Sequence, residues 1–170
     1  VQWMTAGSGL LHKEYHEESF SKQGGAFQMV QLWVNLPAKH KMDPPGYQEI
    51  TNQMMGKYLL PENKGTVEVI AGNFNGTAGP ARTFTSIEMY NLKLKAGAKL
   101  DLRFPNEHNT AFLLIEGSVS VNGRTVPTDH VVLFHKDGED IVIVAGQDAV
   151  VLVLFGAPID EPIAAYGPFL

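Results

Sequence analysis

YNLKLKAGAKLDLRFPNEHNTAFLLIEGSVSVNG, residues 90–123, decides the architecture. Tyr90, Leu92 and Leu94 alternate with Asn91, Lys93 and Lys95, which is the period of a strand with one buried face. Leu100, Leu102 and Phe104 alternate with Lys99, Asp101 and Arg103 in the same way. Ala111 to Ile115 is apolar without a break and is predicted to be buried on both faces. Val119 and Val121 lead into Asn122-Gly123, the dipeptide best suited to a two-residue hairpin because both of its residues accept positive φ. Gly97 and Gly117 read, with Gly123, as turn and barrel-corner residues.

The same pattern extends in both directions. Val67, Val69 and Ala71 alternate with Thr66, Glu68 and Ile70, and strands are predicted again over 131–134, 141–145 and 149–155. Regularly spaced Gly, Pro, Asn and Asp turns separate them, and Gly72 to Gly79 reads as an irregular excursion. Between about residues 65 and 156 this spacing predicts an all-β sandwich or barrel. Upstream, Val1 to Met4 and Phe27 to Leu36 also read as strands, the second ended by Pro37. Tyr47, Ile50, Met54 and Tyr58 fall at helical spacing and suggest one short helix, weakened by Gly46 and Gly56. Pro44-Pro45-Gly46 reads as a rigid connector, so a domain boundary is expected between about residues 38 and 60.

Composition excludes several classes. The net charge is −5 and the basic residues are scattered, so no electrostatic footprint for nucleic acid exists. There are no cysteines, which removes disulfides and thiolate metal sites and fits a reducing, cytoplasmic setting. No apolar run reaches the roughly 18 residues of a membrane helix, and no signal peptide is visible. Both ends read as cut through structure.

Chemistry-bearing residues are few. In an extended Leu10–Tyr15, His12 and Glu14 would share a face, an imidazole and a carboxylate fit for iron, manganese, zinc or nickel. On spacing alone this pair reads first as a solvated polar face. His16, Glu17 and Glu18 are expected in a solvated loop, and His40 on the surface of the connector. His108 precedes the apolar strand at 111–115, with Glu107 pointing the other way; His130 and His135 do not pair with it by sequence, so no second metal site is expected. Gly7-Ser8-Gly9 is not a nucleophile elbow, and Gly72–Gly79 lacks the Lys-Ser/Thr of a phosphate loop.

Longer stretches carry a resemblance. Val1-Gln2-Trp3-Met4-Thr5-Ala6-Gly7-Ser8-Gly9 followed by Leu11-His12-Lys13-Glu14 resembles the pirin family, as do Gln31-Leu32-Trp33-Val34-Asn35-Leu36-Pro37 and Lys41-Met42-Asp43-Pro44-Pro45-Gly46-Tyr47-Gln48. Ala71-Gly72-Asn73-Phe74-Asn75-Gly76 and Glu161-Pro162-Ile163-Ala164-Ala165-Tyr166-Gly167-Pro168-Phe169 resemble its C-terminal half. The resemblance implies a bicupin: residues 1–48 as closing strands of a metal-binding barrel plus connector, and 49–170 as a metal-free barrel. It implies a divalent metal, Fe(II) first and Mn, Ni, Zn or Cu as alternatives, held by three His and one Glu. His12 and Glu14 match two of these ligands; the upstream His-x-His pair has no counterpart here, so the site is expected to be half built. The implied activity is dioxygenation of a quercetin-like flavonol, with Glu14 also acting as base. The alternatives are a metal- or redox-sensing interaction protein and an inactive remnant. Unpaired strands within residues 1–37 are expected to promote dimerisation.

Overall fold

The structure, a computed structural model, describes residues 1–163. Near the N-terminus lie β1 (Gln2–Thr5), the short helix α1 (Glu18–Gln23) and β2 (Gly46–Glu49). Then follow β3 (Gly56–Leu59), β4 (Gly65–Ala71), β5 (Asn73–Phe74), β6 (Thr77–Ala78), β7 (Ile87–Leu94) and β8 (Lys99–Arg103). The series ends with β9 (Asn109–Glu116), β10 (Val119–Val121), β11 (Arg124–Val126), β12 (His130–Leu133), β13 (Asp140–Ala145) and β14 (Ala149–Gly156).

Two antiparallel sheets carry the fold. One has the order β12-β9-β14-β7-β4-β3 and the other β11-β10-β13-β8. From β7 onward nearly every connection crosses from one sheet to the other. Crossing connections place the inward residues of both sheets against one core, where Leu92, Phe112, Leu114, Ile143, Val151 and Val153 are almost fully buried. The alternation in residues 90–104 behaves as predicted, with Tyr90, Leu92, Leu94, Leu100, Leu102 and Phe104 all buried. The β10–β11 hairpin pairs Val121 with Arg124 around Asn122 (φ 47°) and Gly123 (φ 78°), the two positive angles that its tight turn requires.

The large sheet also buries part of its outer face. Ile70, Ala71, Met89 and Leu152 form a second cluster there, against which Trp3, Met55 and Leu154 pack. This explains the unbroken apolar run of β14 and the Val69-Ile70-Ala71 end of β4, since a strand covered on both sides need not alternate. The alternation predicted for Val67, Val69 and Ala71 therefore fails at its last member. The register shifts between Val69 and Ala71 against β7, and this bulge turns Ala71 into the outer cluster.

Other expectations need correction. The helix suggested by Tyr47, Ile50, Met54 and Tyr58 is absent: β2 and β3 occupy its ends, with a turn at 52–54 between them. Backbone pairing of β2 with β1 and of β3 with β4 outweighs a weak helical period interrupted by glycines. The excursion at 72–79 is a small β5–β6 hairpin. Val1–Met4 is a strand as expected, but Leu10–Tyr15 and Phe27–Leu36 belong to none. Among the described residues no strand runs beside either segment, and apolar composition does not substitute for the hydrogen bonds a strand's backbone needs. Phe27, Met29 and Trp33 are consequently exposed, each by about 60% or more. The predicted C-terminal match over residues 164–169 lies outside the described residues.

Candidate functional site

The His12–Glu14 segment leaves the β1–β2 ribbon through a tight turn. Gly9 N–H donates to Ala6 O at 2.9 Å and Ser8 N–H to Asp43 O at 2.8 Å, which ties the turn to the connector. Beyond it the chain is irregular as far as Glu17, and both His12 and Glu14 are exposed. The shared face predicted for them rested on strand alternation, and no neighbouring strand imposes it here.

An imidazole and a carboxylate are the right chemistry for an iron-like divalent ion. Their number is not right: among the described residues no group of three or more His, Asp or Glu side chains is placed to hold a metal. Two donors on an unpaired, exposed segment do not make a pre-formed site, and affinity depends on one. The described residues therefore do not by themselves build the implied centre.

The neighbouring candidates have structural roles. Glu17 caps α1, accepting from Ser19 N–H at 3.0 Å, Phe20 N–H at 2.9 Å and the Ser19 hydroxyl. These donors, the Ser19 hydroxyl foremost, hold its carboxyl down at about 2. Glu18 pairs with Lys22 one turn on, and the His16 ring packs 4.7 Å from Phe27 and 5.8 Å from Phe20. The solvated loop expected for His16, Glu17 and Glu18 is thus a capped helix start beside a small aromatic cluster. The sequence signal for it is an acidic residue two and three positions before Ser19 and Phe20 N–H. His40, expected on the surface, is half-buried; its Nδ1 lies 2.7 Å from Asp43 Oδ2 and its ring 4.8 Å from Phe84.

Two other places concentrate polar groups. At one end of the barrel, a cleft of about 600 Å³ brings together His108, His130 and His135, which the sequence left unconnected. Antiparallel pairing of β12 with β9 does this, because Leu133 lies opposite Ala111 and Phe134 N–H donates to Thr110 O. Thr110 and Arg124 line the same cleft and were missed. Strand parity with buried Phe112 and Val126 was the available signal for both. Nearby, Tyr90 Oη lies 2.5 Å from Glu88 Oε2 and 2.9 Å from Asn73 O. Burial first, then the Glu88 carboxylate, pushes the Tyr90 phenol above its ordinary value.

A two-sheet antiparallel barrel whose strands cross repeatedly between the sheets defines a cupin-type β protein. The chain belongs to the pirin family: the Pirin description matches residues 1–34 and the Pirin C-terminal cupin domain residues 89–170. It is 43% identical over 170 residues to a Pseudomonas aeruginosa protein provisionally named a quercetin 2,3-dioxygenase, covering all of this chain and 59% of that one. A Thermoplasma acidophilum protein with the same provisional name is 30% identical over 185 residues, and the chain covers 70% of it. The crystal structure of a quercetin 2,3-dioxygenase from Acinetobacter baumannii superposes with a TM-score of 0.93 at 41% identity, covering 99% of this chain and 59% of that chain. The chain thus spans about 60% of the length of the Pseudomonas relative.

Proposed function

We propose that this chain forms part of a metal-dependent dioxygenase acting on quercetin-like flavonols. The observation that carries this reading is the likeness, over 99% of this chain and 59% of the other, to a protein named for that reaction, at 41% identity and a TM-score of 0.93. In this reading His12 and Glu14 are two of the ligands of a divalent metal, iron(II) first, and the remaining ligands come from outside the described residues. Both side chains are exposed on a segment that matches the pirin description, as a ligand pair awaiting other donors would be. Glu14 also takes the proton of a substrate hydroxyl. Residues 1–48 then belong to the metal-bearing unit and 49–170 to the second barrel. The cysteine-free composition supports a cytoplasmic setting.

The test is flavonol turnover by a protein carrying this chain at the length of its relatives, followed by loss of the flavonol's visible absorption. His12→Ala should remove bound metal. Glu14→Ala should lower turnover by about 100-fold or more, as expected for a lost base. Full activity in Glu14→Ala would overturn its assignment.

A second reading, a metal-dependent interaction protein, is favoured by the exposed apolar stretch Phe27, Met29 and Trp33. That stretch also supports self-association through residues 1–37. Partner capture that is equal with and without metal would count against sensing.

A further inference from the structure

We propose that the open end of the 65–156 barrel binds a small neutral hydroxyaromatic molecule, with His108 as its hydrogen-bond partner. This site is separate from His12 and Glu14 and does not depend on what they do.

The cleft there measures about 600 Å³, within the roughly 300–1,000 Å³ of small-molecule sites. Phe104, Phe134 and His108 contribute rings to its wall, and the buried Phe155 and Phe112 back them from the core. The His108 ring lies 4.7 Å from Phe155, Phe155 stacks on Phe104 at 4.2 Å, and Phe134 meets Phe112 edge-on at 4.7 Å. Such a wall favours a planar ring.

His108 Nδ1 supplies the polar anchor. It is buried, and it has no hydrogen-bond partner among the described residues. Buried ring nitrogens are otherwise nearly always paired. His130, in the same cleft, is not a comparable anchor, because its Nδ1 already lies 2.9 Å from Thr128 O. An imidazole nitrogen either donates or accepts depending on the tautomer, and a phenolic hydroxyl can meet either.

Charge at the rim selects a neutral ligand. Asp137, Glu139 and Asp140 line the cleft, with Arg124 as the cationic side chain among its lining residues. Glu139 and Asp140 are both engaged by Arg103, at 2.7 and 4.0 Å, which leaves Asp137 balanced by Arg124 and gives the rim no excess cation to hold a carboxylate. A phenol carries the ring and the hydroxyl without that charge.

The experiment uses the 170-residue chain with ¹⁵N-labelled histidine and titrates phenol, with benzene and cyclohexanol as controls. Phenol should shift the His108 ring nitrogens saturably, with millimolar affinity and tighter binding than either control. His108→Phe keeps a ring against Phe155 but removes the anchor. It should weaken phenol about tenfold, the worth of one hydrogen bond, and leave benzene unchanged. The proposal is overturned if phenol gives no saturable shift at His108, binds no better than benzene, or binds His108→Phe equally well. Should that variant lose its amide dispersion, the wild-type comparison of phenol with benzene at the His108 nitrogens decides alone.

Discussion

Gly72 is the position where one added methyl group should have the most traceable effect. Its φ is +78°, and a Cβ built there would lie 2.0 Å from Glu88 Oε2 and 2.3 Å from Glu88 Cδ. Such a clash is cheap if a free side chain can swing away. Glu88 is not free: its Oε2 is 2.5 Å from Tyr90 Oη and accepts from Asn73 N–H at 2.7 Å. Gly72→Ala therefore carries two penalties. Left-handed backbone at a residue with a side chain costs about 1 kcal/mol. Displacing the carboxylate loses two charge-assisted hydrogen bonds, about 2 kcal/mol net once water replaces the more exposed one. The expected total is about 3 kcal/mol, or roughly 6–12 °C in Tm for a chain of this size.

A double-mutant cycle separates the two penalties. In a Glu88→Ala background the obstruction is gone, so adding Gly72→Ala should cost only the backbone part. The coupling measured by urea denaturation should then be about 2 kcal/mol. Additive effects, with coupling below about 0.5 kcal/mol, would refute the clash and leave backbone conformation as the whole cause.

Three further outcomes follow from the same structure. Glu68, only 4% exposed, accepts from Lys93, Asn52 and Asn91. Burial raises its carboxyl, but Lys93 and the two amides outweigh burial and hold it below the ordinary 4.5. Its contribution is therefore complete above pH 4.5 and fades as pH falls through the lower folded value. Lys93→Met should cost about 1–2 kcal/mol at neutral pH, discounted because the lysine is half exposed, and the deficit should shrink in acid; a deficit independent of pH would contradict this. Phe112→Ala should cost about 3–5 kcal/mol in chemical denaturation, since the ring is 1% exposed at the centre of the core. The Glu17 carboxyl should titrate near 2 by carbon-detected NMR, so the α1 cap persists through mild acid and is lost as pH falls through that value; a midpoint at the ordinary 4.5 would remove the cap described above.

The barrel was legible because most of its strands from β4 onward carry their own signature. Leu92 and Leu94 had to face inward by parity, and Asn122-Gly123 could hardly be other than a tight hairpin. Both signals are local: one comes from side-chain alternation, the other from allowed φ. The bulge that turns Ala71 outward was not legible, because it arises where β4 meets β7. The His12–Glu14 pair was visible as residue types, but the geometry that would make it a site was not.

By itself, the sequence determined an all-β sandwich or barrel, most of its inward residues, its one certain hairpin and the donors that could serve a metal. Tertiary structure alone decided three other matters. It decided that Tyr47 to Tyr58 forms two strand ends and not a helix, that Phe27–Leu36 forms no strand, and that His108, His130 and His135 share one cleft. The physical reason is common to all three. A strand exists only when another backbone satisfies its hydrogen bonds, and a cleft only when distant strands pair in one register. Neither condition is written in any single segment.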